Sequence, residues 1–301
     1  MRIGIIGYGA VAAVHAKGLR HCGADLRVVC GPDAAKAAAF ASANGVAGST
    51  DLVETLCGEC DAVIVASPSE YHFAQALAVL RSGRHCLVEL PACASAAEAR
   101  DLLCASLAAR VVLQCAHTTR YLPGISRVSG WLRGRALGEI LHVQSSRAIP
   151  PRRRSWVDDA VLHHAAHHLD LLLHWFGAVE PLACVTFPGV RRSQDAVLTG
   201  RLENRAPVNI SVSYTSRIRE TRLTVVGSDH TITTDGFSFI DSDHVEFAWH
   251  GDEQENYEAA VEAQDRSFIQ AASGGEGGVP WQETLWLAEC LDRFLLLGDR
   301  V

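Results

Sequence analysis

Five of the chain's 14 histidines fall inside VLHHAAHHLDLLLH, residues 161–174. An imidazole gives or takes a proton near neutral pH and also ligates transition metals, so a cluster of this density can do chemistry. The stretch reads as one apolar helix, and helical spacing stacks His163, His167, Asp170 and His174 on one face. His164 and His168 share a neighbouring face with Leu171 and Trp175. Three uses fit such a stripe: a zinc site, a proton-transfer site, or a packed and solvated helix face. His163 and His167 have the spacing of a zinc helix, with Asp170 as a third ligand. The glutamate that makes HExxH catalytic is missing, His164 standing in its place, and no bound metal is expected. Arg147 and the run Arg152–Arg154 precede the helix, with Trp156 just after. Guanidinium forks of this kind bind carboxylates or phosphates, although a charge run also suits a solvated loop.

A second group with chemical meaning opens the chain. IGIIGYGAVAAVHAKGL places Gly7, Tyr8, Gly9, Ala10, Val11 and Ala12 in a GxGxxA turn after a strand and before a helix. Gly7 allows the tight turn, Gly9 lets a pyrophosphate approach the backbone, and Ala12 lets helix and strand pack closely. The amides and dipole of the helix N-terminus then attract the anion. The next strand ends LRVVCGPDAAK, with Gly31 where a carboxylate would bind the ribose hydroxyls of NAD. Lys36 can reach a 2'-phosphate, although Asp33 opposes it, so the cofactor expected is NADP, with NAD as the alternative. Cys57 and Cys60 have CxxC spacing, but no second pair completes a four-cysteine zinc site.

These groups need elements to hold them. A chain of 301 residues, 48% hydrophobic, suffices for two domains. A net charge of -7 and a pI near 6.0 argue against nucleic acid. No apolar run is long enough for a membrane span, and Met1 and Arg2 lead straight into a strand, so the cytoplasm is expected. Residues 1–118 alternate strand and helix, which implies a parallel sheet with crossover helices and a dinucleotide-binding domain. Strands are predicted at 2–6, 26–30, 62–66, 85–89 and 111–115, with helices between them. Residues 119–301 read as an α+β domain with a mostly antiparallel sheet, its strands at 184–187, 196–202, 208–214 and 223–226. Helices are expected at 123–133, along the histidine stretch and at 281–297.

Three segments, GYGAVAAVHAKGL, DAVIVASPSEYHFAQALAVLRSGRHCLVELPACASAAEARDLL and RYLPGISRVSGWLRGRALGEI, together resemble the Gfo/Idh/MocA family of oxidoreductases. The resemblance covers nearly the whole chain. Ser67, Pro68 and His72 match the family's TPxxxH-like segment, and Glu89, Leu90 and Pro91 its Glu-Lys-Pro segment. His163, Ala165, His167 and Asp170 match its DxGxHxxD-like helix. The resemblance implies an α/β fold: a doubly wound Rossmann domain, plus a substrate domain whose open sheet commonly makes a homodimer or homotetramer. It places Arg120 and Tyr121 near the nicotinamide end or the substrate, and Arg147 and Trp156 at the substrate border. It also implies hydride transfer between a nicotinamide dinucleotide and a small metabolite; the charge and hydropathy of the chain speak against a nucleic-acid or membrane partner.

Two departures stand out. The family lysine is Leu90, and the chain has only two lysines, Lys17 and Lys36. The family's usual aspartate, four residues before the active-site histidine, is His163. Hydride transfer to a carbonyl needs a proton donor, which leaves His167, tuned by His163 and Asp170. Transfer to an iminium asks for less, because the electrophile already carries its charge. The expectation is therefore a carbonyl or imine reductase. The alternatives are a non-catalytic dinucleotide-binding regulator or scaffold, as with the family's galactose-pathway corepressor, and a metal-assisted enzyme using His163, His167 and Asp170.

Overall fold

The computed structural model describes residues 1–151, 158–189, 192–242 and 252–298. Contacts divide the chain into two units, Met1–Thr118 with Tyr257–Leu285, and Thr119–Asn256 with Trp286–Val301.

The first unit is built on β1 (Arg2–Ile6), β2 (Asp25–Cys30), β3 (Gly48–Thr50), β4 (Ala62–Val65), β5 (His85–Val88) and β6 (Leu113–Cys115). They form one parallel sheet in the order β3-β2-β1-β4-β5-β6. The chain starts in the middle and winds outward in both directions, a Rossmann arrangement. Its central strands read as unbroken apolar runs because both faces are covered: AVIV of β4 is buried at every residue. Around it lie α1 (Ala10–His21), α2 (Ala34–Asn44), α3 (Val53–Glu59), α4 (His72–Arg81) and α5 (Ala96–Ala109). Ala12, Ala16 and Leu19 of α1 join Ile3, Ile5, Val29 and Ile64 in one core. The pattern did not reveal β3, too short to establish a period.

The sequence drew the first domain as one stretch ending at 118, whereas Tyr257–Leu285 returns to it. This segment takes in most of α8 (Glu253–Ala272) and the start of α9 (Trp281–Gly298). Polar bonds fasten it: Thr118 Oγ1 donates to Gln264 Oε1 at 3.0 Å, and Trp281 Nε1 to the Ala99 carbonyl at 2.9 Å.

The second unit holds α6 (Pro123–Arg133), α7 (Ala166–Phe176) and seven strands. These are β7 (Ile140–Ala148), β8 (Val179–Phe187), β9 (Asp195–Leu202), β10 (Pro207–Ser213), β11 (Glu220–Gly227), β12 (Thr231–Thr234) and β13 (Phe239–Asp241). The order is β13-β12-β11-β7-β10-β9-β8, parallel only at β7–β10. One face buries Val143, Cys184, Leu198, Ile210, Val212 and Val225, while the other carries exposed Val185, Phe187 and Val197. β7 escaped the sequence reading because ILHVQSSRA is mostly polar and lacks the apolar alternation of a half-buried strand.

The histidine helix enters through a wide π turn, Ala160–Ala165, before α7. The Asp159 carboxylate caps it, accepting from the amides of Val161 at 2.8 Å and Leu162 at 3.0 Å. Because the Ala166 amide bonds five residues back, to Val161 O, the first turn is wider than an α-turn.

Candidate functional site

In the first unit the phosphate loop has the backbone its sequence implies. Gly7 has φ +111°, and a Cβ there would lie 2.5 Å from the Ala66 carbonyl, so only glycine fits where β1 meets the end of β4. Gly9 caps α1, and nothing lies within 4 Å of where its Cβ would be. The open backbone there and the N-terminal amides of a 12-residue helix fit a pyrophosphate. Ala12 is buried against the sheet, as the third small position requires.

At the end of β2 the ring of Tyr8 lies over Gly31, where an added Cβ would come within 2.2 Å of Tyr8 Cε1. The Lys36 ammonium sits at the surface 3.0 Å from the Asp33 carboxylate, which also caps α2 by accepting from Lys36 N. The ring nitrogens of His72 lie 2.8 Å from the carbonyl oxygens of Ser67 and Pro91, pinning together the loops that follow β4 and β5. Leu90 beside them is buried, and its bond to Pro91 is cis.

A buried ion cluster stands behind these loops. His15 of α1 is fully buried, with Nδ1 2.8 Å from Asp265 Oδ1 and Nε2 2.8 Å from Glu89 Oε1. Burial opposes its charge, but the Asp265 and Glu89 carboxylates outweigh that and hold the imidazole up at about 10. Sequence reasoning missed His15 and Asp265, which are 250 residues apart. Cys57 and Cys60 are both buried, and burial raises both thiols, Cys60 to about 12.

In the second unit the histidine turns gather a polar cluster. The nitrogen Nδ1 of His167 lies 3.2 Å from Thr119 Oγ1, and its ring centroid lies 5.5 Å from that of His163. Burial holds His167 well below the usual imidazole range, and the charge of Arg147 and the neighbouring histidines add to this. The same burial and Arg147 put His168 at about 3, with its Nδ1 hydrogen-bonded to Ser145 of β7. Arg147 follows Ser145 by two residues on one face of that strand, and its charge acts on His167 and His168. His163 Nδ1 is hydrogen-bonded to the Tyr214 hydroxyl and lies 3.6 Å from Asp158 Oδ2. His164 is buried, its ring centroid 3.9 Å from that of Tyr214.

Asp170 and Arg120 are bound to each other. The Arg120 guanidinium grips Asp170 in a fork, Nε to Oδ2 at 2.8 Å and Nη2 to Oδ1 at 2.5 Å, and donates to His174 Nδ1 at 3.1 Å. Asp170 therefore ties α7 to the turn Thr118–Tyr121, which also carries Thr119 and Tyr121. The hydrogen bond on His167 comes from Thr119 instead. Arg152–Arg154 and Trp156 lie outside the described residues. Among the described residues, no group of three or more His, Cys, Asp or Glu is arranged to hold a metal ion. No helix among them is long and apolar enough to cross a membrane.

Comparison with known proteins decides the family. Residues 1–117 match the model of the Gfo/Idh/MocA oxidoreductase family's NAD-binding Rossmann fold, and residues 131–292 that of its C-terminal alpha/beta domain. The chain belongs to the Gfo/Idh/MocA oxidoreductase family. A 4-carboxy-2-hydroxymuconate-6-semialdehyde dehydrogenase of Sphingobium sp. is 27% identical, the match covering 99% of this chain and 97% of that one. A UDP-N-acetylglucosamine 3-dehydrogenase of Acidithiobacillus ferrooxidans is 28% identical over 78% of this chain and 74% of its own. Among solved structures, levoglucosan dehydrogenase in complex with NADH and levoglucosan superimposes with a TM-score of 0.88, covering 100% of this chain and 97% of that one at 16% identity. This Gfo/Idh/MocA protein is thus an NAD(P)-dependent oxidoreductase. Its Thr119 and Tyr214 were not legible as partners of the histidine helix, because they lie 48 and 51 residues away in the chain.

Proposed function

We propose that the enzyme moves hydride between NADPH and a carbonyl or imine carbon of a small metabolite, with His167 carrying the proton. The observation behind this reading is the setting of His167, hydrogen-bonded by Thr119 and held below its ordinary basicity by burial, Arg147 and its neighbours. A neutral imidazole at pH 7 is ready to accept a proton from an alcohol. As an acid it is strong but sparsely populated, so reduction should accelerate as pH falls below the ordinary histidine pKa of about 6.5. An iminium substrate, already charged, escapes that limit. Leu90 is buried and aprotic, so position 90 cannot relay a proton. Among the described residues no third ligand joins His163 and His167 in a group that could hold a metal ion.

Arg147 and Tyr121 are proposed to border the substrate, with Arg120 and Asp170 holding the turn that carries Thr119. The dinucleotide is assigned to Gly7–Ala12, Gly31, Lys36, Ser67, Pro68, His72 and the Glu89–Pro91 segment. The lack of a carboxylate at Gly31 supports NADPH binding at least as tightly as NADH. The enzyme is expected to act in the cytoplasm.

The test screens carbonyls, imines formed in situ, and the matching alcohols and amines, following nicotinamide absorbance with both cofactors. His167→Ala should lower kcat on a carbonyl by roughly 10² to 10⁴ with dinucleotide affinity unchanged. Turnover indifferent to that change on every substrate found would refute the role of His167.

A further inference from the structure

His15, Asp265 and Glu89 make a charged cluster that proton transfer at His167 does not use, and all three belong to the first unit. The ring of His15 meets a carboxylate at each nitrogen, Asp265 Oδ1 at 2.8 Å from Nδ1 and Glu89 Oε1 at 2.8 Å from Nε2. These are the charged groups that act on it, one from α8 and one from the loop after β5. A bare ring nitrogen at that distance would set its lone pair against those of an ionised carboxylate, so each contact holds a proton. With both protons on the ring, or one on the ring and one on a carboxyl, the cluster carries the same single net negative charge. Ordinary basicities, near 6.5 for imidazole against about 4 for carboxyls, favour the first form.

That charge has one outlet. The side chains of His15 and Asp265 are 0% exposed, and that of Glu89 is 17% exposed. Glu89 is also fixed along the sheet: its amide donates to the Val65 carbonyl at 2.9 Å, as Ala66 does to Ile6 and Gly7 to Cys30, both at 2.8 Å. The carboxyl ends of β2, β1, β4 and β5 therefore stand in one row. In a doubly wound sheet a dinucleotide lies across such a row, its pyrophosphate at the first helix and one ribose at the end of the second strand. With Gly9 assigned to the pyrophosphate and Gly31 to the adenosine ribose, the ends of β4 and β5, and Glu89 with them, fall to the nicotinamide half. Hydride donation turns a neutral dihydronicotinamide into a cationic ring, and a fixed negative charge favours that product.

We propose that His15 is a positioning residue of the dinucleotide site: with Asp265 it fixes the Glu89 carboxylate as the outlet of one negative charge in the nicotinamide half, which shifts binding toward the oxidised, cationic dinucleotide. The bound reduced form is thereby the readier hydride donor. This rests on the assignment of the Glu89–Pro91 segment to the dinucleotide.

Dissociation constants of NADP+ and NADPH, and of NAD+ and NADH, measured on the full chain without substrate, read the preference directly. Fluorescence titration serves for the reduced forms and competition for the oxidised. Glu89→Gln removes the charge from the outlet and should raise the ratio of the oxidised to the reduced constant about tenfold. Glu89→Asp keeps the charge and should hold the ratio within about twofold of the parent, even where both constants rise. In the parent the ratio should be flat between about pH 6 and 9, because the cluster keeps its two protons. In His15→Gln it should fall as pH rises, because two desolvated carboxylates without their cation retain a proton at low pH and release it above. A ratio unchanged in Glu89→Gln, or still flat with pH in His15→Gln, overturns the proposal; equal loss of both forms marks a cluster that only holds the fold together. Failure of the parent to bind any dinucleotide overturns the assignment of the segment, and the proposal with it.

Discussion

At the scale of single residues, what distinguishes the groups here is how their charge is managed. His168, buried, and His167, half-buried, lie beside a guanidinium and are driven toward the neutral form, whereas His15, fully buried, lies between two carboxylates and stays charged. The second case has a measurable consequence for stability. The folded pKa of His15, about 10, is raised above the ordinary 6.5, so its contribution is fully present below pH 6.5 and is lost as pH rises through about 10. Removing one member of a buried, paired set costs on the order of 3–5 kcal/mol, because the others are left uncompensated. His15→Ala should therefore unfold in markedly less denaturant at pH 6, and the decline of stability from pH 7 to 10 expected of the parent should flatten. Denaturant melts of both proteins across that range check this, and an equal slope in the two would count against the charge assignment. In the chain such a histidine looks like any other on an amphipathic helix; only the fold brings Asp265 to it.

At the scale of elements, the loops at the carboxyl ends of β1 and β2 set the dinucleotide preference together. The sequence suggests that Gly31→Asp alone reverses a preference for NADPH, but the structure adds that Tyr8 covers Gly31, its Cε1 2.2 Å from where an added Cβ would lie. The ring is a flexible side chain partly open to solvent, so it can swing aside where a backbone atom could not. Gly31→Asp should then displace Tyr8 and favour NADH over NADPH by about tenfold, the worth of one charge-assisted hydrogen bond to the ribose or one repulsion against the phosphate. Adding Tyr8→Ala should tighten NADH further by freeing the space. Fluorescence titration with both cofactors reads the outcome, and retention of NADPH preference in both variants would contradict it. Lys36, predicted at a 2'-phosphate, has Asp33 as its present ionic partner, an exposed pair of small worth that a phosphate can displace.

At the scale of the whole molecule, the seven-stranded sheet of the second unit is covered on one face only. On the other, Val185 and Val197 stand opposite each other across β8 and β9, with Phe187 two residues along, and they are 59%, 40% and 69% exposed. Contiguous exposed apolar residues on a flat sheet mark an association surface, and a homodimer or homotetramer through this face is expected. Phe187→Asp combined with Val185→Lys should lower the sedimentation coefficient to that of a monomer; a monomeric parent would dispose of the idea. Local spacing along the chain was enough to establish the GxGxxA turn, the alternation that builds a parallel sheet and the pair His163 and His167, each set by residues close together in sequence. It was not enough for β7, whose polar face conceals its period, or for the return of Tyr257–Leu285 to the first unit. Nor could it reach the contacts that fix the chemistry: Thr119 on His167 across 48 residues, Tyr214 on His163 across 51, and Asp265 on His15 across 250. Such pairs carry no local signature, because strand order and helix docking alone decide which distant side chains meet. The protonation of a buried histidine follows from which partner it meets.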